Sequence, residues 1–353
     1  MKAVEEYGKR QVLVGMSGGV DSSAAVALLK AEGYQVFGHT LLLTDGVCGG
    51  EDSIREAARS ADRMGVAHSW SDGRSLFARQ VQDYFVHSYE QGLTPNPCIR
   101  CNREVKFLVL LAEAARRQIP YVATGHYARI QRQGDRYLLQ RGRDPQKDQS
   151  YFLYSLTSDQ LSRILFPLGD LTKDQVRQLA GDAGLDNAMK KDSQDICFIP
   201  DGDYGAFLER YTGTCWPEGD FLDREGNVLG RHRGHVRYTL GQRRGLNVAL
   251  GRRVYVTGKD PRSNTVTLGS NEELYTTSVR AGAVNFLACD SLSGPVRLMG
   301  KTRHSQTLAP CTVIQTGESE LLARFDQPQR AATPGQAIVL YEGDTVVCGG
   351  TIL

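Results

Sequence analysis

The sequence predicts an α/β protein in which a doubly wound parallel sheet is followed by a small connector domain and a C-terminal antiparallel β-barrel. In the first half, short apolar runs alternate with helix-forming runs, which is the pattern of repeated βα units. An arginine-rich stretch, 224–253, comes next. Beyond it, apolar alternations are separated by turn residues from about Val254 onward, and such successive hairpin signals are typical of a small barrel. The predicted domain bounds are 1–203, 204–275 and 276–353.

The chain opens on a strand, a turn rich in glycine and serine, and a helix. Residues 12–16 form an apolar run too short for a helix, as expected of a strand buried on both faces of a parallel sheet. Residues 24–29 are rich in Ala and Leu, and Gly33 stands where a helix usually ends. Further strands are predicted at 34–43, 66–70 and 120–124, and further helices at 53–64, at 104–118 and at 172–183, the last closed by Gly184.

The first turn has the composition of a phosphate-binding loop. Gly18 and Gly19 allow close backbone approach, so that successive N–H groups and the positive end of the helix dipole can face an anion. Ser17 and Ser22 can donate to phosphate oxygens, and Asp21 could hold the Mg²⁺ that accompanies a nucleotide. Without the lysine of a G-x-x-x-x-G-K-[ST] motif, γ-phosphoryl transfer is disfavoured and a pyrophosphate cradle remains. The alternative is a Gly/Ser turn that binds no ligand.

Composition restricts the class of protein. No run approaches the ~20 apolar residues of a membrane span, and 1–10 has no apolar signal region, so we expect a soluble cytoplasmic chain without membrane association. Eight cysteines among 353 residues are too few for a disulfide framework, which makes clustered cysteines candidates for metal binding or catalysis. The formal net charge is only +2, but 224–253 holds eight arginines against one acid. That stretch would attract phosphates; the alternative is a solvated basic surface.

Two cysteine-containing stretches and one polar loop stand out. Cys98 and Cys101 follow two prolines and open a helix, whose dipole favours thiolate over thiol. They could instead be half of a zinc site or inert core cysteines, although a zinc site would want a second Cys/His pair at similar spacing. Cys197 lies between Ile196 and Phe198, which by itself favours a buried small apolar residue. The loop 142–150 is either a solvated linker or a segment ordered by substrate.

Further motifs are spread over nearly the whole chain. They are S-G-G-V-D-S-S at 17–23, T-P-N-P-C-I-R-C-N-R-E-V-K-F at 94–107, A-T-G-H-Y at 123–127, K-D-Q-S-Y-F-L at 147–153, D-S-Q-D-I-C-F-I at 192–199, Y-T-L-G-Q-R-R-G-L at 238–246, K-T-R-H at 301–304 and P-G-Q at 334–336. Together and in this order, these motifs resemble those of the tRNA-specific 2-thiouridylases, which belong to the PP-loop ATP pyrophosphatase superfamily.

The resemblance implies an ATP-dependent 2-thiolation of the wobble uridine of tRNA. Uracil O2 is first adenylated, and sulfur then displaces AMP, which yields 2-thiouridine, AMP and pyrophosphate. The implied cofactors are ATP and Mg²⁺. The implied partners are a tRNA with a wobble uridine and a separate sulfur-donor protein, and we expect the enzyme to be a monomer.

The resemblance also assigns roles to individual residues. Cys197 carries a persulfide, and Cys101 is the nucleophile that releases its sulfur. Asn96, Pro97 and Cys98 contact the target base, which must leave the anticodon stack. Many relatives carry Asp where this chain has Cys98, and the three cysteines could alternatively ligate a [4Fe–4S] cluster. The implied ATP-binding residues are Gly15, Met16, Ser17, Gly18, Gly19, Val20, Asp21, Ser22, Leu41 and Gly125, and the implied tRNA-binding residues are His126, Lys147, Asp148, Gln149, Arg303, His304 and Gln336.

Two other functions are compatible with parts of the sequence. A PP-loop synthetase that adenylates a small metabolite would need the phosphate loop, but it would need neither paired cysteines nor an arginine-rich connector. A non-catalytic RNA-binding protein with a vestigial nucleotide loop would bind tRNA without releasing AMP. Adenylation that depends on tRNA separates the 2-thiouridylase from both.

Overall fold

A computed structural model of the chain describes residues 10–46, 49–183 and 196–353. The strands are β1 (Gln11–Gly15), β2 (Gln35–Leu42), β3 (Ala67–Asp72), β4 (Tyr121–Thr124), β5 (Ala128–Gln133), β6 (Arg136–Arg141), β7 (Ile164–Leu165), β8 (Gly219–Leu222), β9 (Val228–His232), β10 (Tyr255–Asp260), β11 (Thr265–Gly269), β12 (Tyr275–Phe286), β13 (Val296–Lys301), β14 (Ala309–Gly317), β15 (Glu320–Arg330), β16 (Ala337–Glu342) and β17 (Thr345–Ile352).

The α-helices of the described residues are mostly short, and the last of them ends at Thr212. They are α1 (Val20–Ala31), α2 (Glu51–Arg63), α3 (Arg74–Phe77), α4 (Asp83–Glu90), α5 (Pro97–Cys101), α6 (Phe107–Arg116), α7 (Ser150–Leu153), α8 (Ser158–Leu161), α9 (Lys173–Asp182) and α10 (Tyr204–Thr212). Two π-helical turns, Ala78–Gln82 and Asn102–Lys106, join α3 to α4 and α5 to α6. Within the described ranges, no helix is long and apolar enough to cross a membrane.

The first sheet is parallel, as the sequence predicts. Its strand order is β3-β2-β1-β4-β7, and every pairing in it is parallel. Val12, Leu13 and Val14 of the central strand are completely buried, because helices cover both faces of the sheet. The chain leaves β1 toward β2 on one side and returns to β4 on the other. This reversal of strand order creates a crevice at the carboxyl ends of β1 and β4, where ligands bind in open α/β sheets.

The second sheet forms the connector and corrects one expectation. Its strand order is β10-β11-β8-β9, and β11 runs parallel to β8 while the other pairs are antiparallel. The sequence analysis counted the hairpin signals at 254–268 with the barrel pattern, although the connector bounds that it predicted, 204–275, include them. The hairpin is present, but it belongs to the connector, since β11 pairs with β8 and closes a separate core around Phe221 and Val256.

The third sheet is the predicted antiparallel barrel. Six strands follow one another as β12-β15-β14-β13-β16-β17, and pairing of β12 with β17 closes them into a ring. Closure removes the exposed strand edges of an open sheet. The hairpin β5–β6, which lies in the first half of the chain, extends this sheet through the pairing of Thr345 with Gln140. The sequence did not predict that hairpin.

Candidate functional site

The phosphate loop, residues 15–22, follows β1 and enters α1. Gly18 adopts φ +75°, a conformation that favours glycine. Inside the loop, the N–H of Ser17 donates to the Ser22 hydroxyl at 3.2 Å, and that hydroxyl donates to the Gly19 carbonyl at 3.0 Å. The side chain of Ser17 is exposed. The loop is therefore shaped by its own hydrogen bonds, with the Ser17 hydroxyl open to a ligand.

The other residues predicted to bind ATP lie at the same edge of the sheet. Leu41 is near the carboxyl end of β2, opposite Ser71 of β3. Gly125 directly follows β4, and a Cβ at this position would lie 2.7 Å from the carbonyl carbon of Asp21. Only glycine permits this approach of two main chains. The structure thus brings 15–22, 41 and 125 together around the crevice.

Asp21 is held by two side chains that the sequence analysis did not identify. The Tyr127 hydroxyl donates to Asp21 Oδ1 at 2.8 Å. Lys173 Nζ donates to Asp21 Oδ1 at 2.8 Å and to Oδ2 at 2.9 Å. Lys173 is only 5 % exposed and Tyr127 only 3 % exposed, so both bonds lie largely out of water, where charge-assisted hydrogen bonds are strong. Lys173 thus supplies a cation beside a loop that lacks a lysine of its own.

The donor set at Asp21 also fits Mg²⁺. Carboxylate oxygens are preferred Mg²⁺ ligands, and nucleotide-bound Mg²⁺ usually takes one or two protein carboxylates together with phosphate oxygens and waters. The Asp21 side chain is 30 % exposed toward the crevice. A bound Mg²⁺ would share this carboxylate with Tyr127 and Lys173.

The cysteine pair opens a helix, as the sequence predicts. The Asn96 side chain caps α5 by accepting from the N–H of Ile99 at 3.4 Å, and Pro97 occupies the first turn. The loop before the helix is anchored to the barrel, because Gln336 Nε2 donates to the carbonyls of Thr94 and Pro95 at 2.9 and 3.2 Å. The residues predicted to contact the target base are therefore positioned by both domains.

The predicted preference of these cysteines for the thiolate is wrong in this structure. Cys101 is 9 % exposed and packs with Phe77, Val81 and Val105. Burial raises the pKa of its thiol to about 11, and the Lys106 ammonium only partly opposes this. Cys98 reaches solvent, yet desolvation by the surrounding protein raises the pKa of its thiol as well. Loss of water around each sulfur is the largest influence on its pKa.

Cys197 is exposed, in contrast to the buried position that its apolar neighbours favour. The next residue, Phe198, packs against the apolar cluster that contains Cys101, and its ring meets Phe77 and Phe85 edge-on at 5.6 and 5.4 Å. Residues 192–195 of this motif lie outside the described residues, as does Gly184. Phe198 thus ties the Cys197 turn to the neighbourhood of Cys101.

In the part of the chain that the structure describes, the three cysteines are not gathered into a group of metal ligands. Across the described residues, no group of three or more His, Cys, Asp or Glu side chains is arranged to hold a metal ion. Cys98, Cys101 and Cys197 are all described. The described residues therefore give no support for a [4Fe–4S] cluster on these three cysteines.

The residues predicted to bind tRNA gather where the barrel meets the first domain, and several are engaged within the protein. Asp148 is 2 % exposed, and its Oδ1 accepts from the N–H groups of Gly142 and Ser150. His304 Nε2 lies 3.0 Å from the Asp148 carbonyl, and Arg303 Nη2 donates to the Ala331 carbonyl at 2.6 Å. The remaining ones differ in exposure: His126 is buried, whereas Lys147, Gln149 and Gln336 are half-buried.

The loop 142–150 matches neither sequence-based alternative completely. Gln149 exchanges hydrogen bonds with Tyr127, since Tyr127 N donates to Gln149 Oε1 at 3.0 Å and Gln149 N donates to the Tyr127 carbonyl at 2.9 Å. The Asp148 carboxylate lies 3.5 Å from Arg141 and 3.9 Å from Lys301 of the barrel. These contacts anchor the C-terminal end of the loop, and Arg143 N, which donates to the Gly169 carbonyl at 2.8 Å, anchors its start.

The arginine-rich stretch contains arginines that pair with carboxylates and others that are exposed. Arg231 pairs with Asp220 at 2.8 Å, and Arg237 pairs with Glu209 at 2.7 Å, so their charges are used within the protein. Arg243 and Arg244 are exposed and are the better candidates for contact with phosphates.

Three family models match the chain in succession. They are described as the tRNA methyl transferase HUP domain over 10–201, the tRNA methyl transferase PRC-barrel domain over 205–270 and the aminomethyltransferase beta-barrel domain over 276–352.

Curated relatives match over nearly the full length. The chain is 43% identical over 355 residues to tRNA-specific 2-thiouridylase MnmA of Lachnoclostridium phytofermentans, covering 98% of this chain and 99% of that protein. It is 44% identical over 356 residues to the protein of the same name from Acetivibrio thermocellus, with coverage of 98% and 99%. Among solved structures, a predicted subunit of tRNA methyltransferase from Methanocaldococcus jannaschii aligns with a TM-score of 0.34 at 22% identity, over 48% of this chain and 74% of that one. This structural likeness is too weak to bear on function.

Proposed function

Because this chain belongs to the family of tRNA-specific 2-thiouridylases, we propose that it replaces O2 of the wobble uridine of tRNA with sulfur in an ATP-dependent reaction. One observation carries the proposal: a phosphate loop and a cysteine pair share one edge of the sheet. The phosphate loop follows the carboxyl end of β1. The Cys101 cluster packs against Leu43 and Leu76, which come just after β2 and β3.

Adenylation is the first step that we propose. Uracil O2 is a poor leaving group, so it attacks the α-phosphorus of ATP and releases pyrophosphate. Residues 15–22, Leu41 and Gly125 bind the nucleotide, and main-chain N–H groups of the loop face the phosphates. Asp21 would hold the accompanying Mg²⁺, which would offset phosphate charge. Lys173 adds a second positive charge next to the same carboxylate.

Sulfur transfer follows through Cys197 and Cys101. A separate donor protein places a persulfide on the exposed Cys197, and its terminal sulfur attacks C2 of the adenylated base. AMP departs with the former O2. Cys101 then attacks the Cys197 sulfur, so that the bond to the transferred sulfur breaks and its electron pair remains on 2-thiouridine. A disulfide between Cys101 and Cys197 forms, and a thiol reductant returns both to thiols.

The remaining roles extend the same proposal. Asn96, Pro97 and Cys98 receive the flipped base. The tRNA lies over His126, over the loop 147–149 and over Arg303, His304 and Gln336 of the barrel, while the buried Asp148 shapes its loop from inside. We propose the domain division 1–203, 204–275 and 276–353, with a monomeric enzyme that acts in the cytoplasm.

Release of AMP that depends on tRNA tests the adenylation step. The wild-type enzyme should form AMP from ATP and Mg²⁺ only when tRNA is added, and Asp21→Asn should lose this activity while it still binds tRNA. Dependence on a small metabolite instead of tRNA would support a metabolite synthetase. Binding of tRNA without any AMP would indicate a non-catalytic RNA-binding protein.

The cysteine roles have their own test. Cys101→Ser and Cys197→Ser should lose thiolation but keep tRNA-dependent AMP formation, because they act after adenylation. Cys98→Ser is the comparison variant: it should keep measurable thiolation, because position 98 contacts the base but takes no part in the transfer of sulfur. Stoichiometric iron in anaerobically prepared enzyme, lost in all three variants, would contradict the persulfide route.

A further inference from the structure

Tyr127 contacts the nucleotide site and the tRNA-contacting loop at once. Its hydroxyl donates to Asp21 Oδ1 at 2.8 Å. Its main chain exchanges two hydrogen bonds with Gln149, at 3.0 and 2.9 Å. Tyr127 itself is 3 % exposed. A single buried residue therefore joins the carboxylate assigned to Mg²⁺ with a side chain assigned to tRNA.

Close packing around Tyr127 prevents its contact with Asp21 and its contact with Gln149 from moving independently. A Cβ on Gly125 would lie 2.7 Å from the Asp21 carbonyl carbon, and a Cβ on Gly142 would lie 2.8 Å from the Tyr127 carbonyl oxygen. Both distances are too short for any side chain, so the phosphate loop, the segment after β4 and the start of the 142–150 loop are in direct main-chain contact. Displacements at such close contacts are transmitted because packed interiors have few voids.

Lys173 provides a second connection between the same two places. Its Nζ donates to both oxygens of Asp21, while its main-chain N–H donates to Asp144 Oδ2 at 3.1 Å. The ammonium also lies 5.8 Å from the centre of the Tyr127 ring. The geometry at Asp21 is therefore linked to both ends of the 142–150 loop, to Asp144 by Lys173 and to Gln149 by Tyr127.

We propose that Tyr127 couples the nucleotide site to the tRNA-contacting loop, so that Mg·ATP and tRNA each strengthen binding of the other. This inference rests on the proposed function, which supplies both ligands. Mg·ATP fixes Asp21, Asp21 fixes the Tyr127 hydroxyl, and the main chain of Tyr127 holds Gln149 where tRNA meets it. Binding at either site thus orders a residue that the other site needs, which gives positive cooperativity.

Binding measurements test the coupling without requiring thiolation. The Kd for tRNA with a wobble uridine is measured with and without a saturating non-hydrolysable ATP analogue and Mg²⁺. We expect the analogue to tighten tRNA binding by about 10-fold in the wild type, within the usual range for coupled sites. In Tyr127→Phe, which loses only the hydroxyl, this ratio should fall to about 1 to 2. Gln149→Met should lower the ratio to the same extent. Tyr121→Phe is the control: Tyr121 starts β4, whereas Tyr127 follows the end of this strand, so this variant should retain the wild-type ratio.

A second measurement separates coupling from a purely structural role of Tyr127. If the two sites are coupled, tRNA must tighten binding of the analogue by the same factor as the analogue tightens binding of tRNA. The inference is overturned if the wild type binds the analogue yet shows no change in tRNA affinity, or if Tyr127→Phe keeps the full ratio. Failure of the wild type to bind the analogue at all would instead overturn the proposed function itself.

Discussion

Alkylation of Cys101 should be slow at neutral pH and should accelerate far into the alkaline range. The thiolate is the reacting form, and burial raises the pKa of this thiol from 9.0 to about 11. At pH 8 the thiolate fraction is then about one part in a thousand, against about one in ten for an ordinary thiol. The structure therefore predicts a rate roughly 100-fold lower than that of an unperturbed cysteine, rising about tenfold per pH unit.

Iodoacetamide labelling followed by mass analysis of the peptides measures this rate for each cysteine separately. The exposed Cys215 is the internal reference on the same chain. Lys106→Met should slow labelling of Cys101 further, because the ammonium lowers the pKa of that thiol. A labelling rate that levels off below pH 8 would refute the reasoning, since it would mean that the helix dipole outweighs burial. A slow Cys101 would mean that the nucleophilic role proposed for it requires substrate to change its surroundings.

Three substitutions test the rest of the site. Lys173→Met should raise the KM for ATP by about 10-fold or more. The substitution removes the hydrogen bonds from Lys173 to Asp21, and a hydrogen bond to a charged group contributes ~1.5–3 kcal/mol. An unchanged KM would exclude Lys173 from nucleotide binding. Gly125→Ala should reduce the rate of adenylation at least tenfold, because the new methyl group would displace the phosphate loop. Gly181→Ala is the control and should leave the rate unchanged, because a Cβ added there would meet no neighbouring atom within 4 Å. Equal effects of the two substitutions would contradict the close approach of Gly125 to Asp21. Arg243→Ala with Arg244→Ala should lower the slope of log K against log salt for tRNA by up to about 2, and an unchanged slope would remove both from the interface.

Features encoded by neighbouring residues were predicted correctly. The phosphate loop lies between a buried strand and a helix, as its composition indicates. The helix predicted to start at Thr172 is present and opens with a capping box, in which Thr172 N donates to Gln175 Oε1 at 2.9 Å and Gln175 N donates to Thr172 Oγ1 at 3.4 Å. The prolines beside Cys98 equally indicated where the cysteine helix starts. Each of these features depends on hydrogen bonds between residues a few positions apart, and the types of those residues determine whether the bonds can form.

Features that depend on distant parts of the chain were not predicted. Tyr127 and Lys173 lie 106 and 152 positions from Asp21, and no local pattern shows where their side chains point. The hairpin β5–β6 joins a barrel formed some 200 residues later. Cys101 was assigned a thiolate because the helix start is local, whereas the apolar residues that bury it come from other segments.

Nucleoside analysis tests the central claim most directly. The enzyme is incubated with tRNA, ATP, Mg²⁺ and a persulfide donor, and the digested nucleosides are identified by mass spectrometry. The account predicts 2-thiouridine at the wobble position alone, formed with one AMP and one pyrophosphate per modified base, and none with Cys197→Ser. Unmodified tRNA after tRNA-dependent AMP release by the wild type, or 2-thiouridine made equally by Cys197→Ser, would contradict it.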